Sequence, residues 1–413
     1  MKGRSIALVS LGCAKNAADL EIEVGGLLKK GAVLSADPDR ADTVIVNTCA
    51  FIASAREEAE SEIRRALEMK RRGLYGKVVV TGCYPQRYPK AVSAFPGVDD
   101  WRGVPQTWVE QKTPGLRFTG KAYAYLKIAE GCNHRCSYCA IPSIRGRYRS
   151  RPMRHILREA RSLVETGCRE LNVIAQDPML WREGDKTLVD LLWAIDALPG
   201  DFRVRVLYSY PSEITEDFIR WMIESPRAVR YLDIPFQHTV PEVLVKMNRR
   251  RTIPAVEALV DALREAVEGV TLRTTIMTGF PGETELRFRR MMSDLKRMQF
   301  DHLGAFAYSP ERGTKGALMS SRPSREIALR REREVMQMQS SIWAQKAKRM
   351  IGRVEEALVV APGVARLASQ APDVDGVVYL DGAAADVPVG EFAEVELVKV
   401  KGFDFIANAA EAR

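Results

Sequence analysis

Three short apolar runs near the N-terminus each end at a cysteine, and this repeat decides the first part of the fold. Residues 5–11 (SIALVSL), 43–47 (TVIVN) and 77–81 (KVVVT) are β-branched and nearly all apolar. Such runs suit strands buried on both faces of a parallel sheet. Charge-rich helical stretches lie between them, for example residues 53–71 (ASAREEAESEIRRALEMKR). The order βαβαβ predicts an α/β domain built on a doubly wound parallel sheet. Cys13, Cys49 and Cys83 stand at the three strand ends, 36 and 34 residues apart, about one βα unit each. Carboxyl ends of parallel strands line one crevice, where ligands bind. The three thiols are therefore expected to converge.

A second series of strands follows a Pro- and Gly-bearing linker at 104–120: residues 125–129, 170–175, 203–208, 231–235, 271–277 and 302–308. Helical segments such as 154–166 and 255–268 alternate with them. Six βα units predict a partial (β/α)6, TIM-like barrel with its chemistry at the strand carboxyl ends. Ser324 is placed to cap a long helix running to about Met350 and ending at Gly352. VEEALVV, DGVVYL and EFAEVELVKV, separated by Gly, Pro and Asp turns, predict a small all-β domain at the C-terminus. The domain boundaries expected are 1–115, 118–323, a connecting helix at 324–350, and 351–413.

With 413 residues, 46% of them hydrophobic and 28% charged, the chain has the composition of a globular protein of two or three domains. No apolar run approaches the roughly 20 residues of a membrane helix, which excludes a membrane partner. Lys2 and Arg4 precede an apolar run and Cys13, faintly like a lipoprotein leader. The run is too short for one, and Lys15 and Asn16 follow at once, so it reads as a first strand in a cytoplasmic protein. A reducing compartment makes disulfides among the seven cysteines improbable. The net charge of +9 is uneven: residues 351–413 carry 11 acidic and 5 basic side chains, a net of −6, leaving about +15 on the rest. A basic body points to a polyanionic partner or assembly.

Cys132-x3-Cys136-x2-Cys139 directly follows a strand, in AEGCNHRCSYCAIPSIRGR. Thiolates this close on one loop hold three corners of a cubane cluster. Since most Fe–S clusters take four cysteine ligands, one iron is left open for a substrate. The zinc alternative needs His134 as fourth ligand. That residue lies between Cys132 and Cys136, badly placed to close a tetrahedron, and structural zinc usually pairs C-x2-C units. The spacing, with Tyr138 before the last cysteine, resembles the signature of radical S-adenosylmethionine enzymes. SLGCAKN, VNTCAFI, TGCYPQR, YLKIAEGCNHRCSYCAIPSIRGRYRSRP, YLDIPFQH, RTTIMTGFPGETE and AFAYSPERGT together resemble the radical methylthiotransferases over essentially the whole chain.

That resemblance implies two [4Fe–4S] clusters, one on Cys132, Cys136 and Cys139 and an auxiliary one on Cys13, Cys49 and Cys83, all six being metal ligands and catalytic. It implies two S-adenosylmethionine molecules per turnover. One methylates a sulfur at the auxiliary cluster; the other yields the radical that takes a hydrogen from an unactivated carbon. An electron donor such as flavodoxin or ferredoxin and a sulfur donor are implied as partners. Cofactor contacts are expected at Tyr138, Gln176, Gly279 and Gly282. Gln176 and Asp177 also read as a turn cap, and Gly279–Glu283 (GFPGE) as a tight turn. Arg145, Arg147, Arg149 and Arg151 read either as an anion-binding run or as a solvated basic loop. Cys168 and Met336–Met338 read as packing.

The family divides between members acting on an adenosine beside the transfer-RNA anticodon and members acting on an aspartate β-carbon in small-subunit ribosomal protein twelve. Motif wording favours the protein substrate. So does charge: the C-terminal segment resembles a TRAM domain, which in relatives binds RNA, yet a net of −6 repels phosphates and attracts a basic ribosomal protein. It also shows no basic–aromatic interleaving for stacking bases. Two departures from the family pattern stand out: Pro178–Met179–Leu180–Trp181 after Gln176–Asp177, and a shortened start of the TRAM-like domain before 366–376, which suggests a trimmed hairpin.

Overall fold

The computed structural model describes residues 3–105, 117–249 and 256–410. Most of the expected linker at 104–120 lies outside the described residues. The N-terminal unit contains β1 (Ser5–Ser10), α1 (Ala14–Lys29), β2 (Val33–Leu34), β3 (Ala41–Thr48), α2 (Ala53–Arg71), β4 (Tyr75–Gly82), the short α3 (Cys83–Arg87) and β5 (Asp100–Trp101). Its strands form one parallel sheet, ordered β2-β1-β3-β4-β5. Alternation along the strands serves both faces. Val44, Val46, Val78 and Val80 pack on Ala59, Ile63 and Ala66 of α2, while Ile6, Ile45 and Val79 pack on Leu20 and Val24 of α1. Each such side chain contributes about 1.5–3 kcal/mol when fully buried. The chain reverses direction in the sheet between β1 and β3, and that switch point is where doubly wound sheets bind ligands.

The central unit opens with β6 (Tyr123–Lys127). A small hairpin of β7 (Ala129–Glu130) and β8 (Arg149–Ser150) brackets the second cysteine loop and the short α4 (Ile141–Arg145). There follow α5 (Met153–Glu165), β9 (Glu170–Ile174), the hairpin of β10 (Arg182–Glu183) and β11 (Lys186–Thr187), and α6 (Leu188–Asp196). Then come β12 (Arg203–Val206), α7 (Glu216–Glu224), β13 (Tyr231–Asp233), α8 (Pro241–Lys246), α9 (Val256–Ala266), β14 (Thr271–Thr278), α10 (Glu285–Met298) and β15 (His302–Ala307). Parallel ladders join β6, β9 and β12, and separately β13, β14 and β15; the two halves meet at β12 and β13, where Ser209 N donates to Asp233 O. The result is the expected six-stranded partial barrel. Outward residues such as Leu126, Val173, Val204 and Leu232 bury against the helices, and Cys168 belongs to that core.

Ser324 caps α11 (Arg325–Lys348) by accepting from Ile327 N. Met336 and Met338 pack against the barrel core, and Trp343 carries the helix into the next unit, donating to Gly402 O. There β16 (Val354–Ala361), β17 (Val364–Leu367), β18 (Val378–Leu380), β19 (Phe392–Lys401) and β20 (Asp404–Ala409) close into a barrel ordered β16-β17-β18-β20-β19. The hairpin of β16 and β17 is short but present, so the barrel closes in spite of the shortened start.

The segment after β17 is seated on the amino-terminal ends of the central barrel strands. Arg366 pairs with Glu170 at 2.8 Å, and Arg205 pairs with the same carboxylate at 3.0 Å while donating to Ala368 O. Ala371 is fully buried. Asp373 accepts from Tyr125 Oη at 2.5 Å; Asp375 accepts from Tyr231 Oη at 2.7 Å and lies 3.4 Å from His302 Nδ1. This placement corrects part of the charge reading. Two of the acidic residues counted as repelling RNA face the barrel floor, and Glu356 and Glu391 pair with Arg203 and Arg169. Four of the eleven acidic residues are thus turned toward the central unit. Among the described residues no helix is long and apolar enough to cross a membrane.

Candidate active site between two cysteine triads

Register explains how the first triad forms. Ser10, Asn47 and Thr81 lie side by side at the ends of β1, β3 and β4, and the cysteines come two or three residues later. Gly12 and Gly82, both at φ 96°, turn the chain into Cys13 and Cys83. A Cβ on Gly12 would stand 3.0 Å from Cys49 Cβ, and one on Gly82 would stand 2.6 Å from both Asn47 Oδ1 and Thr48 O. Glycine is required at both by backbone conformation and by closeness. Asn16 ties the ends together: its Nδ2 donates to Thr48 O at 2.9 Å, its carbonyl accepts from Asn47 Nδ2, and its Oδ1 accepts from the Cys83 thiol at 3.3 Å. Cys13 caps the start of α1.

The second triad is held by its own loop. Cys132 N donates to Gly146 O and Cys139 N to Cys136 O, while Ile141 N donates to the Cys139 sulfur at 3.4 Å. Ser137 is anchored to Met247 O and Lys246 O. Arg249, buried at the end of this anchor, reaches Cys136 Sγ at 3.7 Å and Tyr138 Oη at 3.3 Å, and its guanidinium lies 4.2 Å from the Tyr210 ring centre. His134 also stacks on Tyr210, its ring centre 3.8 Å from that of Tyr210, and its Nε2 bonds Asp177 at 2.6 Å.

A buried ion-pair cluster connects the two triads. Arg145 reaches Cys83 Sγ at 3.5 Å, Asp19 at 2.9 Å and Glu130 at 3.0 Å. Lys127 pairs with Asp19 at 2.5 Å and also with Glu130. Glu130 stands two residues before Cys132. Its burial pushes the carboxyl up, but Lys127 and Arg145 overcome this and hold it down at about 2. Two cations and two anions balance, as a buried cluster must. The arginine run therefore divides, and the solvated reading holds for half of it. Arg145 and Arg151 are buried in ion pairs, the latter with Glu159, while Arg147 and Arg149 are exposed. Gly146, at φ 77°, separates the helical from the extended part of the run.

Of the other expected site residues, Tyr138 lies against Phe280 and Arg249. Gln176 Nε2 donates to Glu130 at 3.0 Å, which brings it to the ion-pair cluster. Asp177 caps the turn at Pro178–Leu180 by accepting from Met179 N, and the departing residue Trp181 is fully buried with its indole N–H on Arg151 O. Gly279 and Gly282 have positive φ. A Cβ on them would meet Ala328 of α11 at 2.3 Å and the Lys246 side chain at 2.6 Å, so close packing within the protein is one reason for glycine at both. Arg249, Asn16, Asp19, Lys127 and Glu130 were not singled out in the sequence. Two charges in the otherwise apolar YLKIAEG were the available signal for Lys127 and Glu130; Arg249 is hidden in a run of three arginines.

Three cysteines on one loop are the donor set of an iron–sulfur cluster with one iron left open. Among the described residues no three His, Cys, Asp or Glu side chains close on a single point, whereas the corners of a cubane are separate irons. Burial pushes Cys83 up to about 11 and Cys132 and Cys139 up to about 12. Such thiols ionise when a bound metal supplies the compensating charge. Cys13 differs: although desolvation opposes it, Lys15 and Arg145 hold its thiol below the ordinary value. It is also the exposed member of its triad.

A parallel-sheet unit, a six-stranded partial barrel with C-x3-C-x2-C at its mouth and a small closed barrel together define a radical S-adenosylmethionine protein. The model of the Radical SAM superfamily matches residues 126–295, that of Uncharacterized protein family UPF0004 residues 5–103, and that of the TRAM domain residues 346–410. The chain is 38% identical to the ribosomal protein uS12 methylthiotransferase RimO of Syntrophobacter fumaroxidans over 100% of both chains, and 37% identical to that of Geobacter sulfurreducens over 98% of both. It belongs to this RimO family. Among solved structures, the radical S-adenosylmethionine methyltransferase TsrM of Kitasatospora setae shares the fold, with TM-score 0.58 and 18% identity over 88% of this chain and 80% of that one.

Proposed function

We propose that this chain is a radical S-adenosylmethionine methylthiotransferase that acts on ribosomal protein uS12 and joins a methylthio group to the β-carbon of an aspartate. The observation that carries this reading is the bonded path from Cys83 through Arg145 to Glu130, two residues from Cys132. It holds a triad built from three separate strand ends beside a triad built on one loop. Family membership supplies the substrate, since the relatives are named for uS12.

Cys132, Cys136 and Cys139 would hold one [4Fe–4S] cluster and Cys13, Cys49 and Cys83 a second; with two S-adenosylmethionine molecules these supply the electron, the radical and the sulfur. The chain's own residues position and protect. Arg249 and Tyr138 steady the loop around Cys136, with Gln176, Gly279 and Gly282 as further cofactor contacts. The cluster of Lys127, Arg145, Asp19 and Glu130 braces the two triads against each other, and a radical serves where the C–H bond is not acidic enough for a side-chain base. The partners are uS12 or the small ribosomal subunit, an electron donor such as flavodoxin or ferredoxin, and a sulfur donor, all met in the cytoplasm.

Mass spectrometry on a host lacking its own methylthiotransferases, with and without this gene, tests the reading. A methylthio gain on one aspartyl peptide of uS12, with unchanged transfer-RNA nucleosides, supports it. A gain confined to the modified adenosine beside the anticodon would overturn the substrate and leave the radical chemistry.

A further inference from the structure

The inner face of the central barrel carries polar atoms that the protein leaves unbonded. Asn172 is fully buried and neither atom of its amide has a partner; Ser209 Oγ, Asp233 Oδ1 and Gln176 Oε1 are likewise buried and unpaired. These residues lie on or just beyond the inward-facing positions of β9, β12 and β13. Buried polar groups are almost always hydrogen-bonded, so several orphans on one inner wall mark a place where a polar ligand completes the bonding.

At the edge of the same space stands Lys15, two residues after Cys13. Its ammonium lies 3.1 Å from the centre of the Tyr208 ring. Among the described residues no carboxylate pairs with it; burial disfavours its charge, and the Cys13 sulfur, then Asp233 and Glu130, favour it. The other cations nearby are engaged: Lys127 and Arg145 by Asp19 and Glu130, Arg273 beside Asp375. Tyr208 itself sits at φ 72°, the left-handed region that a bulky residue rarely adopts. Such strain gathers at functional sites.

We propose that Lys15 is the cation that receives the side-chain carboxylate of the acceptor residue, with Asn172 and Asp233 bonding the peptide around it. The inference rests on the aspartyl acceptor proposed above. A carboxylate on Lys15 brings its neighbouring carbon beside Cys13, the exposed thiol of the first triad. It also makes the site read charge: an amide of the same shape leaves the ammonium unpaired, and unpaired buried charge is what sites discriminate against most strongly.

The test uses the reconstituted full-length holoenzyme and two peptides of the uS12 target segment, one with the acceptor aspartate and one with asparagine in its place. Product is measured by mass spectrometry against peptide concentration, and iron and sulfide per chain are determined for each protein. The wild type should prefer the aspartyl peptide by about 10²-fold or more in kcat/KM. Lys15→Met should bring that ratio toward 1 while keeping its iron, and Lys15→Arg should restore part of it. An unchanged ratio in Lys15→Met, or a loss of iron that matches the loss of product, overturns the inference and makes Lys15 a support of the first triad. A wild type that modifies neither peptide but modifies transfer RNA overturns the proposed function itself, and this inference with it.

Discussion

The two cysteine triads reach the same site by opposite routes. Cys132, Cys136 and Cys139 lie within eight residues, on a loop whose own backbone bonds and Arg249 hold it. Cys13, Cys49 and Cys83 span 71 residues and meet only because three strands align in register and two glycines turn at their ends. The loop triad is a local motif that survives on many scaffolds. The strand-end triad is a product of tertiary structure, and anything that disturbs the sheet disturbs the site.

The largest effects should separate the triads by function. Alanine at Cys132, Cys136 or Cys139 should abolish both 5′-deoxyadenosine and methylthiolated product in a reduced, reconstituted sample. Alanine at Cys49 or Cys83 should abolish the methylthiolated product while 5′-deoxyadenosine remains detectable; equal loss of both would erase the division of labour. Next comes the connection. Arg145→Met strips a buried ion pair of its cation and should cost about 3–5 kcal/mol, read as a lowered denaturation midpoint. Arg145→Lys should recover only part, because one ammonium cannot reproduce the fork to Asp19, Glu130 and Asn16.

Gly82→Ala sharpens the contrast at lower energy. It should cost about 1–3 kcal/mol of backbone strain and lower the iron bound by the strand-end triad, while the loop triad keeps its own. Equal iron loss from both would mean that the strand ends and the loop are one cooperative unit. The smallest effect belongs to the seventh cysteine. Cys168 is in the barrel core, its thiol on Glu170 O, and Cys168→Ala should cost roughly 1 kcal/mol of stability with iron content and product unchanged.

Much of this site was legible in the sequence, for reasons that also mark where reading fails. The strand-end triad was visible because βα units have a characteristic length, so cysteines 36 and 34 residues apart fall at equivalent points. The loop triad was visible from spacing alone. Arg145 was not separated from its neighbours because the four arginines read as one loop, whereas the chain changes from helix to strand at Gly146 and buries Arg145. The acidity of the C-terminal domain was legible as a sum, but not that Asp373 and Asp375 bond Tyr125 and Tyr231 at the strand starts, with His302 beside Asp375. Net charge is a sum over residues, but recognition depends on which of them remain free.

The seating of residues 366–375 under the central strands has a consequence for biosynthesis. A chain made from its N-terminus exposes both cysteine triads to the cell long before the segment that seals the barrel has left the ribosome. Until Asp375 is synthesised, the tyrosines, His302 and Arg273 at the strand starts face solvent. Closure of the barrel floor is thus an event that comes after all six cysteines of the two triads have been made.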